Sequence, residues 1–177
     1  DIEALQKYVG QSYKISLLFV VPMCIGLALF AVPTLQVFYF KNPSYVNGAA
    51  ALGILAIGMT FYSIFAISTS IVQGVGNPRI PMYILVFGSI ATGVLSWIFA
   101  PILGIAGGAT ATTIACFLMM VPCVYFVFKL TETKAPTMAV VKILIATFIM
   151  GAVGYFIPKT PIWLFPGIIF CMIVYFF

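Results

Sequence analysis

Residues 49–128 read AAALGILAIGMTFYSIFAISTSIVQGVGNPRIPMYILVFGSIATGVLSWIFAPILGIAGGATATTIACFLMMVPCVYFVF, and the only charge among them is Arg79. A transmembrane helix needs about 20 consecutive, mostly apolar residues. Glycines and prolines around Arg79 and the short link PILG divide the stretch into three runs of about that length. The pattern predicts three membrane-spanning helices, over about 49–72, 82–100 and 105–128.

The flanking sequence continues the same pattern on both sides. An uncharged run at 15–40 predicts a further span, and Pro22 and Pro33 within it predict kinks. Two more apolar runs follow the central stretch, at 138–157 and 162–177, and the second is short for a span. The sequence therefore predicts an all-α, polytopic integral membrane protein with about six transmembrane helices.

The overall composition agrees with a membrane environment. Hydrophobic residues make up 64% of the chain and charged residues 6%, against about 25% charged residues in an average soluble domain. The expected organisation is a cytoplasmic segment leading into the membrane (1–14), a four-helix core (15–128), a cytoplasmic loop (129–141) and two additional helices (142–177). Because the chain starts at Asp1 without a signal peptide and stops within an apolar run, we expect it to be part of a longer protein.

The residue inventory argues against an enzyme or a metal site. Histidine is absent, and the three acidic residues fall in predicted polar segments, which leaves no general base and no carboxylate pair within a span. The four cysteines lie inside apolar runs without a CxxC pair, so we expect neither a disulfide nor a metal site. We expect no catalytic residue, no metal and no cofactor. The eight basic residues are spread along the chain, which predicts no nucleic-acid partner.

The basic residues instead predict how the chain is oriented in the bilayer. Six of them fall on one side of the predicted spans and two on the other: Lys7, Lys14, Arg79, Lys129, Lys134 and Lys142 against Lys41 and Lys159. Lysine and arginine are enriched in cytoplasmic loops. We therefore expect a multi-pass protein of the cytoplasmic membrane, with the N-terminal end of this chain in the cytoplasm.

Polar residues recur at helical spacing on the second and third predicted spans and are the candidates for a substrate path. They are Ser63, Thr69, Ser70 and Gln73 on the second span, and Ser89, Thr92 and Ser96 on the third. Two such stripes can line a water-filled cavity. The alternative is that these side chains hydrogen-bond to their own helix or to a neighbouring one.

Small residues are concentrated at the start of the fourth predicted span: Gly104, Gly107, Gly108, Ala111 and Ala115. Small side chains let two helix backbones approach closely in lipid, which predicts a tight helix contact rather than a substrate contact.

Near the N-terminus, Lys7 and Lys14 lie seven residues apart. They predict either a basic collar on the cytoplasmic leaflet or an anion contact at a cavity mouth.

Several of these features occur together in one known family. Gln73, Gly76 and Arg79 form a Gln-x-x-Gly motif with a nearby basic residue, and Pro101 precedes a glycine-rich segment that carries alanine and threonine. The combination resembles the polysaccharide and lipid-linked oligosaccharide flippases of the multidrug/oligosaccharidyl-lipid/polysaccharide exporter superfamily. The resemblance covers about residues 1–130, and the last two spans resemble the extra C-terminal helices of longer members.

The resemblance implies both a fold and a function. Members have two six-helix lobes around a central cavity and carry a polyprenyl-linked sugar outward by alternating access. This chain would supply the ninth to fourteenth helices, and its partners would be the lipid bilayer, a lipid-linked glycan and the missing N-terminal lobe of the same protein. Alternatives are a cation-coupled multidrug exporter of the same superfamily, a membrane-embedded enzyme or a scaffold.

Overall fold

The computed structural model describes residues 2–38 and 48–131, and these residues form five helices. The helices are α1 (Ile2–Leu29), α2 (Ala31–Phe38), α3 (Ala49–Gly74), α4 (Arg79–Leu103) and α5 (Ile105–Thr131). Four of them are long and apolar enough to cross a membrane: Leu5–Leu29 within α1, and the whole of α3, α4 and α5. The prediction of an all-α, polytopic membrane fold is confirmed. The predicted spans at 138–157 and 162–177, most of the predicted loop at 129–141, and residues 39–47 lie outside the described residues.

The predicted span at 15–40 is two helices, with a break at Phe30. Pro33 explains the position of this break. Proline has no amide hydrogen to donate to the carbonyl four residues earlier, and its ring clashes with that carbonyl, which here belongs to Leu29. Thr34 resumes the helical pattern through a 2.9 Å hydrogen bond from its amide nitrogen to the Phe30 carbonyl. The helix is therefore interrupted at Phe30, and the chain continues as α2.

The start of α1 also differs from the prediction. The helix begins at Ile2, so residues 2–14 of the predicted entry segment form the first part of α1. The apolar candidate span is Leu5–Leu29, and it includes both Lys7 and Lys14. Both lysines lie in the first half of that range, and Ile15–Leu29 is free of charged residues.

The other three spans follow their predicted ranges closely and extend them by a few residues. α4 begins at Arg79 and contains Pro81 at its third position, where the missing amide hydrogen costs nothing because first-turn amides have no partner within the helix. α4 continues through Pro101 to Leu103, so that proline lies in the last turn and does not end the helix. A single residue, Gly104, then separates α4 from α5.

The helices pack in the order α1, α3, α5, α4, with α5 in contact with both α3 and α4 along its length. A core of Phe65, Ile84, Cys116, Met119 and Cys123 joins α3, α4 and α5. A second cluster, Val9, Tyr13, Val72 and Val127, joins α1, α3 and α5. On α4 the surface away from these contacts is apolar and exposed, as at Phe87, Ile90 and Trp97. That surface suits lipid.

Candidate functional site

A close helix contact lies between α3 and α5, where Gly58 faces Thr113. A Cβ atom on Gly58 would lie 2.7 Å from Thr113 Oγ1 and 3.1 Å from Thr113 Cα, so only glycine fits without moving a backbone. The Thr113 hydroxyl lies 3.0 Å from the carbonyl of Ile54 on α3 and 2.9 Å from that of Ala109 on its own helix. Close approach and an interhelical hydrogen bond therefore hold α3 and α5 together.

The predicted packing residues lie in different environments. Ala111 and Ala115 are completely buried, and Gly107 is buried against the backbone of α4, where a Cβ atom would collide with the Phe99 carbonyl. Gly108 is half-buried, and a Cβ atom there would meet nothing within 4 Å. Gly104 is exposed at the end of α4 and has a φ of +59°, a conformation that favours glycine.

A buried polar contact joins α1 to α3. The hydroxyl oxygens of Tyr13 and Ser68 lie 2.6 Å apart, and Ser68 also donates to the Ile64 carbonyl at 2.7 Å. Since the single Ser68 proton is used by Ile64, the Tyr13 hydroxyl is the donor to Ser68. The Tyr13 ring stacks against Phe128 of α5, with ring centroids 6.5 Å apart. We call Tyr13 and Ser68 the polar node.

Most of the predicted path residues hydrogen-bond within their own helices. Ser63, Ser70, Ser89 and Thr92 each donate to the carbonyl four residues earlier, at 2.8–3.0 Å. Thr69 points toward α5, where its hydroxyl lies 3.7 Å from the sulfur of Cys123. Gln73 is exposed and Ser96 is half-buried.

The two predicted stripes of path residues are not brought together. α4 packs on α5 and touches α3 only slightly, so α5 separates the stripe on α3 from the stripe on α4. On α3, Ser70 and Gln73 are exposed. These two are the predicted path residues on that helix that are most open to a ligand.

The Gln-x-x-Gly motif forms the end of α3. The Gly76 amide donates to the Gln73 carbonyl at 2.9 Å, and the Asn77 amide donates to the Val72 carbonyl at 3.1 Å. Gly76 has a φ of +90°. This pair of bonds around a left-handed glycine is a Schellman motif, which satisfies the last carbonyls of a helix. The motif thus has a structural explanation, and Arg79 follows it as the exposed first residue of α4.

The described basic residues gather at one end of the bundle. The start of α1 meets the end of α5, where the Gln6 side-chain amide donates to the Thr131 carbonyl at 3.3 Å. The cluster of Val9, Tyr13, Val72 and Val127 adds the end of α3 to the same region. Because α4 starts there as well, this end carries the exposed Lys7, Lys14, Arg79 and Lys129.

Several interhelical contacts were not predicted from the sequence: the polar node, the Gly58–Thr113 contact and the contact of Gly88 with Met119. The tyrosine, serine and glycine residues concerned occur among many similar residues, so residue type alone did not single them out. Within the described residues, no group of three metal-binding side chains forms, and Cys24, Cys116 and Cys123 are free thiols.

The model of the family "Lipid II flippase MurJ" matches residues 1–175. The chain belongs to this family. The match narrows the resemblance seen in the sequence, which pointed to polysaccharide and oligosaccharide flippases in general.

Two proteins of Methanocaldococcus jannaschii show sequence similarity to parts of the chain. Uncharacterized membrane protein MJ1068 is 32% identical over 130 residues, which cover 73% of this chain and 25% of that protein. Uncharacterized membrane protein MJ1375 is 30% identical over 133 residues, covering 75% of this chain and 30% of that protein. The chain thus matches about a quarter to a third of the length of these relatives.

A solved structure of lipid II flippase MurJ in an inward closed conformation has the same fold. The TM-score is 0.89 at 22% identity, and the match covers 99% of this chain and 38% of the solved one. At 22% sequence identity the similarity between the two structures shows a shared fold only. The arrangement of helices is therefore that of one part of a larger membrane protein.

Proposed function

We propose that the chain forms part of one lobe of a flippase that carries a lipid-linked glycan precursor of the lipid II type across the cytoplasmic membrane. The observation that carries the proposal is the family match over residues 1–175. The role is transport by alternating access and not catalysis. In such a scheme two lobes rock about a central site.

The remaining lobe would come from the rest of a larger protein. The chain matches 38% of the solved flippase, which is consistent with a lobe supplied by other residues. The basic end of the bundle supports an orientation in which the start of α1 faces the cytoplasm, because basic residues concentrate on that side of a membrane. The substrate would then enter from that end of the bundle.

The helix contacts suggest how such a lobe could move. The Gly58–Thr113 contact and the hydrogen bond between Thr113 and the Ile54 carbonyl leave little freedom between α3 and α5. We expect α3 and α5 to move as one rigid unit. The exposed Ser70 and Gln73 on α3 are the proposed substrate-path residues, since their side chains are open to a ligand.

The test is a translocation assay with the full-length protein in liposomes. A fluorescent lipid II analogue is placed in both leaflets, and a membrane-impermeant reducing agent bleaches the outer leaflet. We expect the protein to make nearly the whole population accessible, whereas empty liposomes protect about half. Protection that stays at one half would refute a flippase. Uptake of a cationic dye driven by a sodium or proton gradient, without movement of the lipid, would instead indicate a drug exporter.

A further inference from the structure

Three polar side chains form a stripe along the exposed surface of α1. Lys7, Gln11 and Lys14 are all exposed and occupy positions i, i+4 and i+7 of the helix, so they lie on one face. At a rise of 1.5 Å per residue the stripe is about 10 Å long. We call these three residues the α1 basic stripe.

The inner end of the stripe lies well below the end of the bundle. Lys14 follows Tyr13, which contacts Ser68 on α3, and Ser68 lies six residues before the end of α3, or about 9 Å. On the other side of the bundle, Ile80 of α4 packs against the cluster that contains Tyr13, and Met82 is already exposed two residues later. The backbone of Lys14 therefore lies about 9 Å inside the end of α3.

The exposed surface of α1 changes character just after Lys14. The exposed large side chains that follow are all apolar: Ile15, Phe19, Met23 and Leu27. An ionised side chain inside a spanning helix is costly and usually faces water, a partner or a ligand and not hydrocarbon. Lys14 is the last exposed polar side chain of α1 before these apolar ones. Its position therefore calls for a polar partner at the boundary between the basic end and the apolar surface.

The hydrogen-bond donors of the α1 basic stripe favour an anionic partner. Two ammonium groups and one amide offer hydrogen-bond donors to an anion, and a phosphate at the membrane boundary accepts several such bonds. Glu3 precedes Lys7 by four residues in the sequence, a spacing at which helical residues of opposite charge pair. Lys14 has no acidic residue at three or four positions on either side. We therefore expect anion binding by the α1 basic stripe to depend most on Lys14.

We propose that the α1 basic stripe binds the phosphate group of a membrane lipid at the cytoplasmic boundary. The phosphate can come from the diphosphate of the transported lipid or from the headgroup of a bulk anionic phospholipid. The first source rests on the proposed function and makes the stripe the place where the substrate is held before it enters the cavity. The second makes it a site for a lipid that is not transported.

The experiment measures lipid binding to the full-length protein in phosphatidylcholine nanodiscs. Undecaprenyl diphosphate is titrated as the probe, against wild type and the variants Lys14→Gln, Lys14→Arg and Lys129→Gln. The last is the matched control, because Lys129 is exposed at the same end of the bundle but on α5. We expect Lys14→Gln to bind about tenfold more weakly, as for loss of a charged hydrogen bond, and the other two to stay within about twofold of wild type. Equal binding by Lys14→Gln and wild type, or an equal loss in Lys129→Gln, would overturn the proposal.

A competition step identifies the source of the phosphate. If an equal amount of phosphatidylglycerol displaces the probe from wild type, the stripe binds bulk headgroups; if it does not, the stripe prefers the diphosphate. Both results retain a phosphate site that depends on Lys14. The proposed flippase activity and the proposed phosphate site can be refuted independently. A protein that binds the probe through Lys14 but does not translocate lipid refutes the flippase alone, and a working flippase with unchanged binding in Lys14→Gln refutes the stripe alone.

Discussion

Removing the acceptor of the polar node should destabilise the bundle more than removing the donor. In Ser68→Ala the buried Tyr13 hydroxyl loses the oxygen that lies 2.6 Å away, and Ser68 itself is fully buried. A buried polar group left without a partner costs about 1–3 kcal/mol. In Tyr13→Phe the Ser68 proton still reaches the Ile64 carbonyl, so only the interhelical bond is lost. Such bonds in membrane proteins contribute about 0.6 kcal/mol on average and at most about 1.7.

The assay is the free energy of unfolding of the full-length protein in bicelles, for wild type, both single variants and the double variant. We expect Ser68→Ala to be the less stable single variant and the double variant to be more stable than the sum of the two losses predicts. Ser70→Ala is the matched control, because Ser70 is exposed and donates to the Ala66 carbonyl of its own helix. The reasoning is refuted if Ser68→Ala costs no more than Ser70→Ala, or if the losses at Tyr13 and Ser68 are simply additive.

Three further predictions concern close contacts and sidedness. Gly58→Ala should lower the free energy of unfolding by about 1–3 kcal/mol through overpacking against α5. Gly93→Ala should be neutral or stabilising, because a Cβ atom there meets nothing within 4 Å; equal losses would contradict the contact. Gly107→Ala should cost more than Gly88→Ala in the same assay, since the first meets the Phe99 carbonyl and the second a flexible methionine side chain; the reverse order would show that the α4–α5 link is not tight. A cysteine introduced at exposed position 12 should react with an impermeant maleimide only after cells are permeabilised, and labelling of intact cells would reverse the orientation.

The membrane helices could be predicted from the sequence because charge, proline and glycine mark their ends. The ranges of α3, α4 and α5 could be predicted from the polar turn at Arg79 and from the link PILG, which ends at Gly104. The start of the first helix was not predicted, because charged residues were taken to mark helix ends and the span was therefore placed after Lys14. In the structure α1 continues through that lysine, and Pro33 breaks the helix instead.

The polar residues that join two helices could not be distinguished from the exposed ones, for a physical reason. In water the buried face of a helix is the apolar one, whereas in lipid both the buried and the outward faces are apolar. Periodicity therefore could not distinguish Ser68, which joins α1 to α3, from Ser70, which is exposed two residues later. The substrate-path stripe on α3 combined residues from both kinds of surface. Whether a polar residue is buried or exposed depends on which helices are neighbours. The residue pattern of a single helix does not contain that information.

The most direct test of the proposed flippase follows the precursor lipid in the cells that make the protein. The full-length protein is depleted, and the share of lipid-linked precursor in each leaflet is measured with a membrane-impermeant enzyme that cleaves only the outward-facing molecules. We predict that the precursor accumulates in the cytoplasmic leaflet and that the cleavable share falls within one generation. An unchanged cleavable share after complete depletion would contradict the proposal that this chain belongs to a lipid-linked precursor flippase.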